Sequence, residues 1–179
     1  MAELSDAEKQ EILDRVEQKA NSYQYEFRGC GQTAFYALQQ EFGLSDNQDV
    51  FKSASFLGYG IAREMDICGA FMGCILALGL AAGRDNFDDS IYPNPKDIDE
   101  KTGLAKAAVT IRDFYEKFVE EFGGSTCKAI QEERFARVYN LADPKESAVF
   151  SEVHGQDCAE IAGKAARMAA EAILALPRR

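Results

Sequence analysis

Residues 67–83, ICGAFMGCILALGLAAG, run for 17 positions without a charged side chain. A helix that spans a bilayer needs roughly 20 mainly apolar residues, so this run is slightly too short for a span. Charged residues crowd its start at Arg63, Glu64 and Asp66, and no other stretch of the chain resembles it. Its glycines and alanines would let a neighbouring element approach closely. We therefore predict a buried central helix and no membrane span.

Helical spacing continues along most of the remaining chain. Leu13, Val16, Ala20 and Tyr23 recur at intervals of three and four, the pattern of an amphipathic helix. Capping residues and glycines separate several such runs, and no segment alternates as a strand would. Composition agrees, because 46% apolar and 28% charged residues are typical of a folded domain. The prediction is one all-α domain over residues 1–179, a bundle of six to eight helices.

Two boundaries and one connection are predicted more specifically. A long helix is expected from about Leu104 to Phe122. Its predicted inward residues keep heptad-like spacing and are Leu104, Ala108, Ile111, Tyr115, Phe118 and Phe122. Gly155 is expected to separate a short helix from a last one at about 156–176. Residues 84–100, with two prolines and six acids, are expected to form an exposed acidic loop. The loop lacks EF-hand spacing, so we predict no cation site there.

Charge and motif content exclude several classes of function. A net charge of −10 argues against binding to a nucleic-acid backbone, which requires a basic surface. One histidine cannot build a His-rich metal site within one chain. We find no acid/base pair, Ser-His-Asp set, phosphate loop or dinucleotide motif, so the sequence defines neither an enzyme nor a substrate. The polar start MAELSDAEKQ carries no signal segment, and a cytoplasmic, reducing setting is expected.

Four of the five cysteines fall in or near the first turn of a predicted helix. We call them the four site cysteines: Cys30, Cys68, Cys127 and Cys158. Free backbone amides and the helix dipole favour an anion at such positions, and a thiolate is the anion available. The apolar phase of their helices turns Cys30 and Cys158 inward, where facing helices can assemble a metal site. Cys74 lies on another face of the central helix and is interpreted as a packing residue.

These residues also resemble a known family. Cys68-Gly69-Ala70-Phe71-Met72-Gly73 matches a CGAxxG motif, with one cysteine before it and two after it in the same order as in the C_GCAxxG_C_C family of redox-active proteins. The resemblance covers residues 25–175. It implies a small helical redox protein in which the four site cysteines act together. The chain has Tyr59 where many relatives have a second glycine.

Three interpretations remain open. In the first, the four site cysteines hold an iron–sulfur cluster or another thiolate-bound metal for electron transfer or sensing. In the second, two of them form a reversible disulfide without metal. In the third, the chain is a non-catalytic interaction module whose cysteines only pack. No C-x-x-C spacing selects among them. A redox partner protein of unknown identity is expected, and a homodimer stays open.

Overall fold

The computed structural model describes residues 4–84 and 103–176, which form seven helices and no strand. The helices are α1 (Asp6–Phe27), α2 (Cys30–Phe42), α3 (Gln48–Ser53), α4 (Gly69–Ala82), α5 (Gly103–Phe122), α6 (Cys127–Phe135) and α7 (Pro144–Ala175). The all-α prediction is confirmed. The predicted acidic loop lies almost entirely outside the described residues, and the single domain over 1–179 stays a prediction.

Local signals account for most helix ends. Ser5 and Glu8 form a capping box at the start of α1, in which each side chain accepts a hydrogen bond from the other residue's backbone. Asp143 caps α7 through two backbone amides, and Pro144 occupies its first position. Gly43 ends α2 in the left-handed conformation. These caps satisfy backbone groups that a helix end would otherwise leave without partners.

The core is assembled around α7. This helix packs against α1, α2, α4 and α5, and α2 packs also against α1 and α4. Alanines supply much of the contact surface of α7, including Ala162, Ala166 and Ala170, all fully buried. Such small side chains let neighbouring helices approach closely. A stack of phenylalanines on α4 and α5, in which Phe71 lies parallel to Phe114 at 5.4 Å, fills the adjoining space.

The predicted break at Gly155 is wrong. α7 runs through this position without interruption for 32 residues. A Cβ atom at residue 155 would lie 2.6 Å from Nη1 of Arg28, so the glycine makes room for the side chain of the residue that follows α1. The residue signals a close tertiary contact, and its low helix propensity does not end the helix.

The predicted inward face of α5 is correct only in part. Phe118 and Phe122 are buried as predicted, whereas Ala108 and Tyr115 are exposed. Phe114 is buried in addition. Burial of Phe114 against Phe71 selects this phase. No helix in the described ranges combines the length and apolarity needed to cross a membrane. The uncharged run instead forms the 14-residue α4, which is buried as predicted.

Candidate functional site

All four site cysteines line one cavity of about 40 Å³, which we call the thiol cavity. Its volume is sufficient for a small group such as a water molecule. Around the cysteines the lining is mainly apolar, with Ile130, Phe135 and Phe150, and it also contains Arg28 and Gln131. Cys74 is fully buried in α4 and does not line the cavity. The structure thus brings together the predicted set and leaves the predicted packing cysteine outside it.

Four different helices deliver these thiols. Cys30 is the first residue of α2, Cys68 is the N-cap of α4, and Cys127 is the first residue of α6. Cys158 lies in the interior of α7, because that helix begins at Pro144. The expectation of a helix start therefore holds for three cysteines and is wrong for Cys158.

A single antiparallel bridge aligns the chain at Cys68 with the chain at Cys127. It pairs Ile67 with Thr126. The Cys68 amide donates to the Ser125 carbonyl at 2.8 Å, and the Cys127 amide donates to the Asp66 carbonyl at 2.8 Å. These bonds hold in register two segments that are distant in the sequence. They fix the starts of α4 and α6 beside the cavity.

The glycines of the CGAxxG motif are explained by close packing. A Cβ atom at Gly69 would lie 2.5 Å from the Cys30 sulfur and would also collide with the Leu57 carbonyl oxygen. A Cβ atom at Gly73 would overlap the backbone of Gly31. α2 and α4 therefore meet backbone to backbone at their first turns. This contact places Cys30 and Cys68 at the same end of the bundle.

A segment of left-handed backbone contributes Tyr59 to the lining of the cavity. Six of the seven residues from Tyr59 to Met65 have positive φ, all except Glu64. Such a run is costly for residues other than glycine and persists only where its surroundings hold it. Arg63 anchors it by donating to the Ser147 hydroxyl at 2.9 Å and by lying over the Tyr59 ring. The segment directs the Tyr59 amide at the Cys30 sulfur.

Burial makes every one of these thiols hard to ionise. It raises the pKa of Cys30, against hydrogen bonds from the amides of Tyr59, Ala70 and Gly31. Burial and the neighbouring Cys30 and Cys127 sulfurs raise the pKa of Cys68 well above its usual value. The pKa of Cys127 is raised to about 11 by burial and by Cys30.

Burial therefore raises the pKa values of these thiols more than the backbone amides at the helix starts lower them. The pKa of Cys158 is raised by burial first and by the nearby Cys30 and Cys127 sulfurs next, with Arg28 opposing the shift. The Cys30 and Cys127 sulfurs thus lie near enough to Cys158 to disfavour its ionisation. The expectation of stabilised thiolates at the helix starts is wrong in direction for the protein without a bound cation.

Two polar residues of the site were not predicted from the sequence. Arg28 lies against Gly155 and favours the ionised form of Cys158. Gln131 is 1% exposed and donates from Nε2 to the Cys127 sulfur at 3.5 Å. Its position four residues after Cys127, on the same helical face, is the sequence signal that could have identified it.

Gln131 also connects the site to the single histidine. Its Oε1 atom accepts from the Tyr139 amide at 2.9 Å. The Tyr139 hydroxyl lies 3.4 Å from Nε2 of His154, whose Nδ1 lies 2.9 Å from an oxygen of Asp157. His154 further stacks on Phe135, a residue of the cavity wall. A hydrogen-bonded series thus runs from Cys127 to the carboxylate beside Cys158.

The thiols surround a cavity and do not converge on one point. Within residues 4–84 and 103–176, no group of three or more His, Cys, Asp or Glu side chains is arranged so that it could hold a metal ion. All five cysteines are free thiols. The arrangement differs in this respect from a preformed site for a single ion.

Fold and site together define a small all-α protein with four thiols, one buried and three partly buried, grouped around one cavity. The family model described as "Putative redox-active protein (C_GCAxxG_C_C)" matches residues 29–172, a range that includes every site cysteine. The chain belongs to this family. Neither the curated proteins nor the solved structures gave a match.

Proposed function

We propose that this chain is a redox protein whose four site cysteines hold an iron–sulfur cluster and that it acts in electron transfer or sensing. The observation that carries the proposal is the shared cavity, since thiols from α2, α4, α6 and α7 line one space. Four cysteines are the ligand set of [2Fe–2S] and [4Fe–4S] clusters. The family's redox description agrees with this chemistry.

The electrostatics of the site support a cationic occupant. Buried thiolates in one cavity repel one another, and their raised pKa values express that cost. With a metal centre bound, the four site cysteines would hold it as thiolates, and its positive charge would compensate for their mutual repulsion. The amides directed at Cys30 and Cys68 would then donate hydrogen bonds to ligand sulfur, which tunes reduction potential.

A cluster fits these residues better than a single ion. A tetrahedral zinc site needs four ligands around one point, and no three described side chains are so placed. A cluster has its own inorganic core, so its ligands stand further apart around a central space. The thiol cavity is lined by one cysteine from each of α2, α4, α6 and α7, so the four thiols are distributed around a space instead of a single point.

Metal and sulfide content of protein purified without oxygen tests the proposal. We expect iron and acid-labile sulfide in near-stoichiometric amounts, with visible absorbance. Serine at any one of the four site cysteines should reduce that content strongly. Cys74→Ser is the matched control, because it alters a buried thiol outside the cavity. Protein that is folded and metal-free under these conditions would refute the cluster.

Reversible disulfide formation is the second candidate, and the absence of three converged ligands among the described residues favours it. In that reaction two site cysteines would pass two electrons and two protons to an acceptor disulfide, giving one protein disulfide and two thiols. The raised pKa values would slow this exchange, because the thiolate is the attacking species. Treatment of metal-free protein with oxidised glutathione, followed by counting of alkylated thiols, should reveal a reversible loss of exactly one pair if this candidate is correct.

A further inference from the structure

Among the described residues that line the thiol cavity, Arg28 alone carries a permanent charge. The rest of the lining consists of the four site cysteines and of neutral side chains such as Gln24, Tyr59 and Ser151. An arginine guanidinium is not deprotonated in proteins, so this positive charge is present at every pH at which the chain is folded. The lining of the thiol cavity therefore combines four sulfurs with one fixed cation.

The guanidinium of Arg28 lies against α7, beside Cys158. A Cβ atom at Gly155 would lie 2.6 Å from Nη1, 3.0 Å from Nη2 and 3.2 Å from Cζ of Arg28, so the whole charged group rests on this glycine. Gly155 precedes Cys158 by three positions in α7, and residues three apart are neighbours on one face of a helix. The positive charge accordingly favours the ionised form of Cys158. Asp157 acts in the opposite direction, but it does not line the cavity, and its carboxylate lies 2.9 Å from Nδ1 of His154.

Within the described part of the chain, no carboxylate forms an ion pair with Arg28. Arg15, on the same side of the fold in α1, shows the contrast, because it pairs with Glu41 at 2.6 Å. The guanidinium carbon of Arg28 instead lies 5.7 Å from the centre of the Tyr25 ring. Such a contact attracts a cation without neutralising it. The charge of Arg28 thus remains available to the sulfurs of the cavity.

The backbone of Arg28 has a conformation that is essentially confined to glycine. Arg28 caps the end of α1 with φ 61° and ψ −176°. A glycine would adopt these angles without steric cost, whereas a side chain at this position strains the chain. Residues held in such conformations cluster at functional sites. The strain therefore indicates a role for the arginine side chain at the place where it meets Gly155.

We propose that Arg28 is the electrostatic partner of the sulfurs in the thiol cavity, and that it raises the reduction potential of the centre they hold. The effect on potential rests on the proposed function. Four thiolates carry more negative charge than an iron–sulfur core carries positive charge, so the occupied site is anionic, and its net charge is one determinant of potential. Reduction adds one electron from an external low-potential donor and neither forms nor breaks a covalent bond. The guanidinium stabilises the reduced state more than the oxidised state, because the reduced state is the more negative.

Redox titration of the reconstituted full chain with dithionite, followed by visible absorbance, tests this role. Arg28→Gln removes the charge and should make reduction about tenfold less favourable, which is a decrease of about 59 mV for a one-electron couple. Arg28→Gly also removes the charge, and glycine suits the backbone, so we expect the same decrease with an intact fold. Arg28→Lys keeps the charge, and its reduction equilibrium should stay within about threefold of wild type.

Arg15→Gln is the matched control. It removes the same charge from a position about 18 Å before the end of α1, so reduction should change by less than about twofold. Circular dichroism and iron content are measured for every variant. An unchanged potential in Arg28→Gln at full iron content, or an equal decrease in Arg15→Gln, would overturn the proposal. Loss of iron from both Arg28→Gln and Arg28→Gly would assign Arg28 to assembly of the centre and would also overturn it.

Failure of the proposed function would be seen separately, as wild-type protein that contains no iron. The charge of Arg28 is then tested in metal-free protein by timed iodoacetamide treatment at about pH 9 and peptide mass spectrometry. Arg28→Gln should slow alkylation of Cys158 about threefold or more, because less of this thiol is ionised, and Arg28→Lys should restore the rate. Equal rates in wild type and Arg28→Gln would show that the guanidinium does not act on the sulfurs of the cavity.

Discussion

Cys127 illustrates how burial and a single hydrogen bond compete at one atom. Burial and the neighbouring Cys30 raise its pKa to about 11, while the amide of Gln131 acts in the opposite direction. In metal-free protein at pH 8, roughly one Cys127 in a thousand is therefore a thiolate. Because the thiolate is the reactive form, its alkylation should be slow at neutral pH and should increase steeply up to about pH 11.

Replacement of Gln131 by leucine should slow that alkylation further. The change removes the donor that stabilises the thiolate, and we expect a rate about tenfold lower at pH 9. It also leaves the Tyr139 amide without its acceptor, which should cost about 1–3 kcal/mol of stability. Peptide mass spectrometry after timed iodoacetamide treatment measures the rate. Gln18→Leu, an exposed change on α1, is the control, and equal rates in both variants would contradict the assignment.

Ionisation of Cys74, which lies outside the thiol cavity, should make the free energy of unfolding depend on pH. Burial raises its pKa, so the folded state favours the neutral thiol. Below the ordinary thiol pKa of about 8.5, Cys74 is neutral in both the folded and the unfolded chain, and its full contribution to the free energy of unfolding is present. This contribution decreases as pH rises toward the raised value, since only the unfolded chain ionises there.

Wild-type protein should therefore lose its stability advantage over Cys74→Ala in alkaline solution. The difference in free energy of unfolding should shrink by about 2 kcal/mol between pH 7 and pH 10, at about 1.4 kcal/mol per pH unit above 8.5. Urea unfolding of both metal-free proteins at the two pH values measures it. A difference that is constant with pH would show that the thiol ionises as readily in the folded protein.

At the scale of single elements, α4 contains two glycines with opposite roles. A Cβ atom at Gly69 would collide with Cys30 and Leu57, whereas one at Gly79 would meet nothing within 4 Å. Gly69→Ala should destabilise the protein by about 1–3 kcal/mol and should disturb the thiol cavity. Gly79→Ala should stabilise it by up to about 1 kcal/mol, because alanine is the better helix former.

The same substitution in the same helix thus provides its own control. Urea unfolding measures both variants, and iron content measures the site. Opposite signs of the change in unfolding free energy are the expected result. If both alanine variants are destabilised by similar amounts, the close contact at Gly69 is not the cause of its effect. The role assigned to Gly69 would then be wrong.

Element boundaries show how far local sequence determines this fold. Caps at Ser5 and Asp143 and the end of α2 at Gly43 depend on nearest neighbours, so local sequence is sufficient to place them. The same local reasoning predicts a helix break at Gly155 and is wrong there, because Arg28, more than a hundred residues away, requires the space. Helix phases place Cys30 and Cys158 inward, yet desolvation of their sulfurs depends on all the surrounding helices. Local sequence therefore predicts which residues form the site better than it predicts their ionisation.

At the scale of the whole molecule, a bound cluster would connect four helices that are distant in sequence. A ligand that binds the folded state alone stabilises it, by about 3 kcal/mol at a hundred times its dissociation constant. Reconstitution with iron and sulfide should raise the melting temperature by about 5–10 °C for a chain of this size. Differential scanning calorimetry of metal-free and reconstituted protein measures the shift.

Cys158→Ser should abolish most of this gain, because it removes the ligand from the central helix α7. Cys74→Ala should retain it. A melting temperature that does not respond to reconstitution in wild-type protein would indicate that no centre links these helices.

The pairing of the first helix with the last sets the order in which this molecule can be made. Arg167 on α7 forms ion pairs with Asp14 and Glu17 on α1, at 2.6 and 2.9 Å. Cys158 is carried by the same terminal helix. Translation proceeds from the amino end, so α1 and the other three site cysteines are made before α7 and Cys158. A centre held by all four site cysteines can therefore be completed only after α7 has been made and has packed against α1.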